Sequence, residues 1–122
     1  MTGGKTGAAV LVVDDDADIR EALVEALSIH GYKVAEATNG AEALSYLRTH
    51  DPPRVIILDL MMPIMDGWRF CEERGMDAVL AAIPVVVISA SLNIHAPPAG
   101  AQLFLPKPVT SEALFAAVKE FY

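Results

Sequence analysis

The chain has 122 residues, 53% of them hydrophobic, which suits one compact domain with a sizeable core and leaves no room for a second. A formal net charge of −7 without any Lys/Arg cluster opposes a nucleic-acid partner, and the apolar runs fall far short of the roughly 18 residues that suggest a membrane span. The lone cysteine, Cys71, excludes an internal disulfide and suits a reducing compartment, so the expectation is a cytoplasmic protein that touches neither membrane nor nucleic acid.

Residues Met1–Gly7 hold three glycines and read as a flexible leader, with the folded domain expected over 8–122. Gly4-Lys5-Thr6 copies the tail of a phosphate-binding loop, but the earlier glycine and the preceding strand are missing. Val10-Leu11-Val12-Val13 is a continuous apolar run, as in a strand buried on both faces of a parallel sheet, and it ends abruptly in Asp14-Asp15-Asp16. Asp16 can cap a helix that carries Ile19, Leu23 and Leu27 on one face and stops at Gly31. A weaker strand over Lys33–Ala37 follows. Asn39, with Glu42 three residues on, then opens a second helix bearing Ala43, Leu44 and Leu47.

Val55–Leu58 predicts a third buried strand, again ending on an aspartate, Asp59. A helix starting near Asp66 carries Trp68, Phe70 and Cys71, and Gly75 weakens or ends it. Pro84 opens a fourth strand, Val85–Ser89, and a short fifth, Gln102–Leu105, precedes Lys107-Pro108. Thr110 caps the last helix, whose Leu114, Phe115 and Val118 point inward. Such alternation implies right-handed crossovers and an α/β, doubly wound, five-stranded parallel sheet with helices on both faces.

In that architecture the ligand site lies beyond the carboxyl ends of the strands, which selects Asp14, Asp15, Asp59, Ser89 and Lys107. Three carboxylates in one small site repel, so a cation must sit among them, and a hard ion with oxygen ligands, Mg²⁺, fits that donor set. His30, His50 and His95 have no metal-ligand spacing and read as surface or helix-end residues. With a lysine and a hydroxyl nearby, the site could hold a tetrahedral anion beside the metal. An ionised carboxylate can be the nucleophile toward a phosphoryl donor without a general base, and Asp59 would become an acyl phosphate.

The ordered set Asp14-Asp15, Leu58-Asp59-Leu60-Met61-Met62-Pro63-Ile64-Met65-Asp66-Gly67, Ser89-Ala90 and Lys107-Pro108 resembles the response-regulator receiver domain from Val10 to Tyr122. The resemblance implies a flavodoxin-like strand order of 2-1-3-4-5, a two-component phosphorelay switch rather than an enzyme, and a sensor histidine kinase or histidine phosphotransfer protein as donor. The output would be altered contact with an effector protein. It also implies Asp59 as phosphoacceptor, Asp15 as a direct Mg²⁺ ligand, Asp14 holding the ion through water, and the backbone carbonyl of Met61 as a further ligand. Ser89 would hydrogen-bond the phosphoryl group, Lys107 would pair with it beside a cis bond to Pro108, and Phe104 would be the switch aromatic. Without a hydroxyl, Phe104 would act by packing alone, and an inert core aromatic is the competing reading. Met62 reads as filler, whereas Met61 and Ser91 match positions that govern water's approach to the phosphoryl group and suggest a moderately long-lived phosphoryl state.

The stretch between Ser89 and Gln102 is short for a crossover and contains Pro97-Pro98, so the fourth helix of the family is expected to be shortened or missing. Competing readings are an aspartate-nucleophile phosphatase, suggested by the Asp14-x-Asp16 spacing, and a receiver with phosphorylation-independent binding. A flavodoxin-like nucleotide or flavin binder lacks its Gly-rich loop.

Overall fold

The computed structural model describes residues 7–90, 98 and 100–122. Its elements run β1 (Val10–Val13), α1 (Ala17–Ile29), β2 (Val34–Ala37), α2 (Gly40–Thr49), β3 (Val55–Asp59), α3 (Gly67–Gly75), α4 (Ala78–Ala81), β4 (Val85–Ser89), β5 (Ala101–Pro106) and α5 (Ser111–Phe121). The five strands form one parallel sheet in the order β2-β1-β3-β4-β5. This is the doubly wound order expected above, with the strand order reversing beside β1 and β3.

Strand residues alternate between two cores, which explains why β1, β3 and β4 read as unbroken apolar runs. Leu11, Val13, Ile56, Leu58, Val85 and Val87 pack with Leu44, Leu47, Phe70 and Leu80, beneath α2, α3 and α4. Val10, Val12, Val55, Ile57, Val86 and Ile88 face the other way and pack with Leu23, Leu27, Leu114 and Val118 of α1 and α5. In the last helix Ala117 is buried and Phe115 only half-buried, so the inward stripe is narrower at Phe115 than the spacing predicts.

The ends of α1 are held by local chemistry. Asp16 accepts hydrogen bonds from the amides of Asp18 and Ile19 at its start. At its end the amides of Gly31 and Tyr32 donate to the carbonyls of Ser28 and Leu27, the two bonds that close a helix through a left-handed residue. Gly31 takes that place with φ of 86°, where a side chain would be strained. Asn39, Asp66 and Thr110 cap α2, α3 and α5 through amides three residues on. Glu42 reaches back from α2 to Thr38, accepting from both its amide and its hydroxyl, so the box closes one residue before the cap.

Gly75 ends α3 as the sequence predicts, but the chain then forms the separate turn α4, with Asp77 accepting from the amides of Val79 and Leu80. The expectation of a shortened fourth helix concerns the connection from β4 to β5, where 91–97 and 99 lie outside the described residues, as does Ser91. The leader, including Gly4-Lys5-Thr6, lies outside them over residues 1–6.

Candidate functional site

The carboxyl ends of β1, β3 and β5 meet at one point. Asp14 follows Val13 at the end of β1 and is fully buried; Asp59 closes β3 and is also buried; Asp15 projects into solvent beside them. A carboxylate oxygen from each of the three lies within 4.8 Å of the others. Lys107, one residue beyond β5, places its Nζ 3.0 Å from Asp14 Oδ2 and 3.3 Å from Asp59 Oδ1. Ser89, at the end of β4, is buried and holds the lysine in register, its carbonyl accepting from the Lys107 amide at 2.9 Å. The bond from Lys107 to Pro108 is cis. Each site residue selected from the sequence is therefore at the same end of the sheet, as the rule for open parallel sheets requires.

Burial and like charge set the electrostatics. Burial and then the Asp14 carboxylate push the Asp59 pKa up to about 6, against the opposing pull of Lys107. For Lys107, burial works against the ammonium, but its contacts with Asp14 and Asp59 outweigh that cost and raise its pKa. The ammonium thus stays charged and serves as counter-ion to two buried acids.

The donor set fits a hard divalent cation. All candidate ligand atoms are oxygens, and the buried Asp14 Oδ2 already faces one cation, the Lys107 ammonium at 3.0 Å. Its partner atom Oδ1 is taken by the amide of Asp16 at 2.9 Å. Asp16 itself caps α1, so the Asp14-x-Asp16 spacing does not bring two carboxylates into the pocket.

The segment after Asp59 turns sharply. Gly67 lies against it: a Cβ there would come within 2.9 Å of the Asp59 carbonyl and of the Leu60 Cα, and the Gly67 amide donates to the Leu60 carbonyl. Between them Ile64 adopts φ of 70°, with the Met65 amide donating to the Pro63 carbonyl across it. Met62 is buried as filler, whereas Met61 is 68% exposed at the rim. Phe104 is 43% exposed on β5, which removes the reading of an inert core aromatic. Sequence reasoning overlooked Arg20, whose Nη1 donates to the Asp14 carbonyl at 2.8 Å; its only signal was a basic residue in the first turn of α1, six positions after the acid.

A family model for the response regulator receiver domain matches residues 10–119, nearly the whole chain. The chain belongs to the response-regulator receiver family. Among curated relatives it is 40% identical over 115 residues to the response regulator MprA of Mycobacterium tuberculosis, covering 90% of this chain and 48% of that protein. The chain thus spans about half the length of the curated relatives it matches. Receiver structures superpose closely. The chemotaxis response regulator CheY4 of Vibrio cholerae gives a TM-score of 0.81 at 30% identity, covering 96% of this chain and 100% of that one. The response regulator TrrA of Thermotoga maritima, solved in complex with Mg²⁺ and BeF, gives 0.81 at 29% identity, covering 93% and 97%. These likenesses make the chain a receiver domain of two-component signalling, and its acidic cluster is compatible with Mg²⁺. Among the described residues no helix is long and apolar enough to cross a membrane.

Proposed function

We propose that this receiver accepts a phosphoryl group on Asp59 from the phosphohistidine of a sensor histidine kinase or a histidine phosphotransfer protein, and signals through altered contacts with an effector protein. The P–N bond of the donor breaks, its imidazole keeps the electron pair, and a P–O bond forms to an Asp59 carboxylate oxygen. The observation that carries this reading is the meeting of three carboxylates within 4.8 Å with an ammonium 3.0–3.3 Å from two of them, at the ends of three strands.

Asp14, Asp15, Asp59 and the Met61 carbonyl would hold Mg²⁺, Asp14 through water, and the bound ion would supply positive charge for the phosphoryl oxygens. The chain's own groups do the rest. Lys107 exchanges its pairing with Asp59 for an oxygen of the phosphoryl group, and the Ser89 hydroxyl donates to another. Phe104, with its ring part-exposed on β5, turns inward as Ser89 moves, changing the surface that an effector meets. The protein is a switch that promotes only its own phosphorylation and dephosphorylation, working in the cytoplasm where its donor kinase domain would reside. Met61 at the rim shields the site from attacking water and lengthens the phosphoryl lifetime.

The test is intact mass after incubation with acetyl phosphate, with and without Mg²⁺, for the native chain and Asp59→Asn. A single Mg²⁺-dependent phosphoryl adduct, absent from the variant, supports the reading. An adduct that survives Asp59→Asn and is lost in Asp14→Asn refutes it.

A further inference from the structure

We propose that Arg20 is a positioning residue for the cation site, clamping the Asp14-Asp15-Asp16 turn in the one pose that aims Asp15 at Mg²⁺; this rests on the function proposed above. The observation is a bracket made by a single residue. The Arg20 amide donates to the Asp16 carbonyl at 2.9 Å, and its Nη1 donates to the Asp14 carbonyl at 2.8 Å. Both flanks of Asp15 are therefore tied to one point on α1. The guanidinium is itself held, because its Nε meets Glu36 Oε1 at 2.9 Å, and Glu36 lies on β2, paired in register with Val12 of β1. The Arg20 side chain is largely buried by this arrangement, at 14% exposure.

The turn needs such a tie. Asp14 is anchored through its amide to the Ala37 carbonyl and through Oδ1 to the Asp16 amide. Asp15 has no comparable anchor: among the described residues nothing hydrogen-bonds its exposed carboxylate. Its direction is set by the backbone on either side: the first main-chain bond of α1 holds the Asp16 flank, and the Arg20 guanidinium ties the Asp14 flank to the same helix. Partners that orient a ligand without touching the metal typically matter about 10–100-fold in affinity.

Charge and geometry make opposite predictions here, which makes the inference testable. If Arg20 acted only as a nearby positive charge, removing it would strengthen the binding of a cation to the acids. If it positions Asp15, removing it weakens binding. The measurement is calorimetric titration with Mg²⁺ alone on the intact chain, for wild type, Arg20→Met, Arg20→Lys and Glu36→Gln. We expect the Kd to rise about tenfold in Arg20→Met. Arg20→Lys, which keeps the charge but cannot span both Asp14 and Glu36, is expected to show most of that rise. In the double variant with Arg20→Met, Glu36→Gln adds nothing further, because Glu36 acts through the guanidinium.

A Kd that is unchanged or lower in Arg20→Met overturns the clamp while leaving the receiver function intact. If Arg20→Met does not fold, a wild-type Kd in Arg20→Lys overturns it equally. Failure of the wild type itself to bind Mg²⁺ removes both the clamp and the proposed function. Circular dichroism in chelator separates these outcomes from unfolding.

Discussion

Replacing Asp59 by asparagine should stabilise the metal-free protein at neutral pH. The buried carboxylate has its pKa raised from 3.8 to about 6, chiefly by burial and by Asp14, so its ionised form is the costly one in the fold. Because the folded value lies above the unfolded one, the folded chain binds the extra proton. Stability therefore falls as pH rises from about 4 to about 6 and stays low above that range. A shift of about 2 units at 1.36 kcal/mol each sets a ceiling of about 3 kcal/mol at pH 7.5, and about half of that at pH 5. The carboxamide of Asp59→Asn would keep the shape and leave Lys107 its 3.0 Å partner, Asp14. For a domain of this size the gain amounts to about 4–12 °C in Tm if about one to three kcal/mol is realised. The assay is thermal unfolding followed by circular dichroism in EDTA at pH 7.5 and pH 5, then with Mg²⁺. The gap should shrink at pH 5, and Mg²⁺ should narrow it at pH 7.5 by stabilising the wild type through binding to the folded state alone. A variant no more stable than wild type at pH 7.5, or a gap independent of pH, would refute the electrostatic account.

Other substitutions probe the scaffold. Gly67→Ala forces a Cβ against the Asp59 carbonyl and Leu60, and should cost about 2–3 kcal/mol and lower the acetyl phosphate adduct yield, read by denaturant unfolding and intact mass. Arg74→Ala deletes a buried guanidinium that donates to the carbonyls of Ala81 and Ile83, and a loss of about 3 kcal/mol in urea unfolding is expected. Asp16→Ala removes the cap of α1 at about 1 kcal/mol, measured the same way. Ile64→Gly relieves an exposed β-branched residue at φ of 70° and should raise stability by about 1 kcal/mol; a lower Tm would show that the turn is not strained.

Much of this protein follows from local rules that operate along the chain. Buried strands had to be continuous apolar runs because both faces of a parallel sheet are covered, which made β1, β3 and β4 legible from Val10–Val13, Val55–Leu58 and Val85–Ser89. Helix starts were legible because a short polar side chain must satisfy free amides, as Asp16, Asn39, Asp66 and Thr110 do. The order of acids, serine and lysine at strand ends pointed to the site, since parallel topology gathers those ends. The turn α4 escaped notice, although Asp77 before Ala-Val-Leu-Ala was a usable cap signal; four residues are too few to show a helical period.

Tertiary structure decided whatever depends on distance between residues remote in sequence. Lys107 bridges Asp14 as well as Asp59, Arg20 reaches a carbonyl at the end of β1 and a carboxylate on β2, and Arg74 is buried against two carbonyls near α4. The height of the Asp59 pKa belongs to the same class, because desolvation and the Asp14 charge act through space and leave no trace in spacing. A sequence can specify which groups a fold brings to one end of a sheet, but hydrogen bonds and charge repulsion vary over ångströms. Only the packed chain supplies those distances.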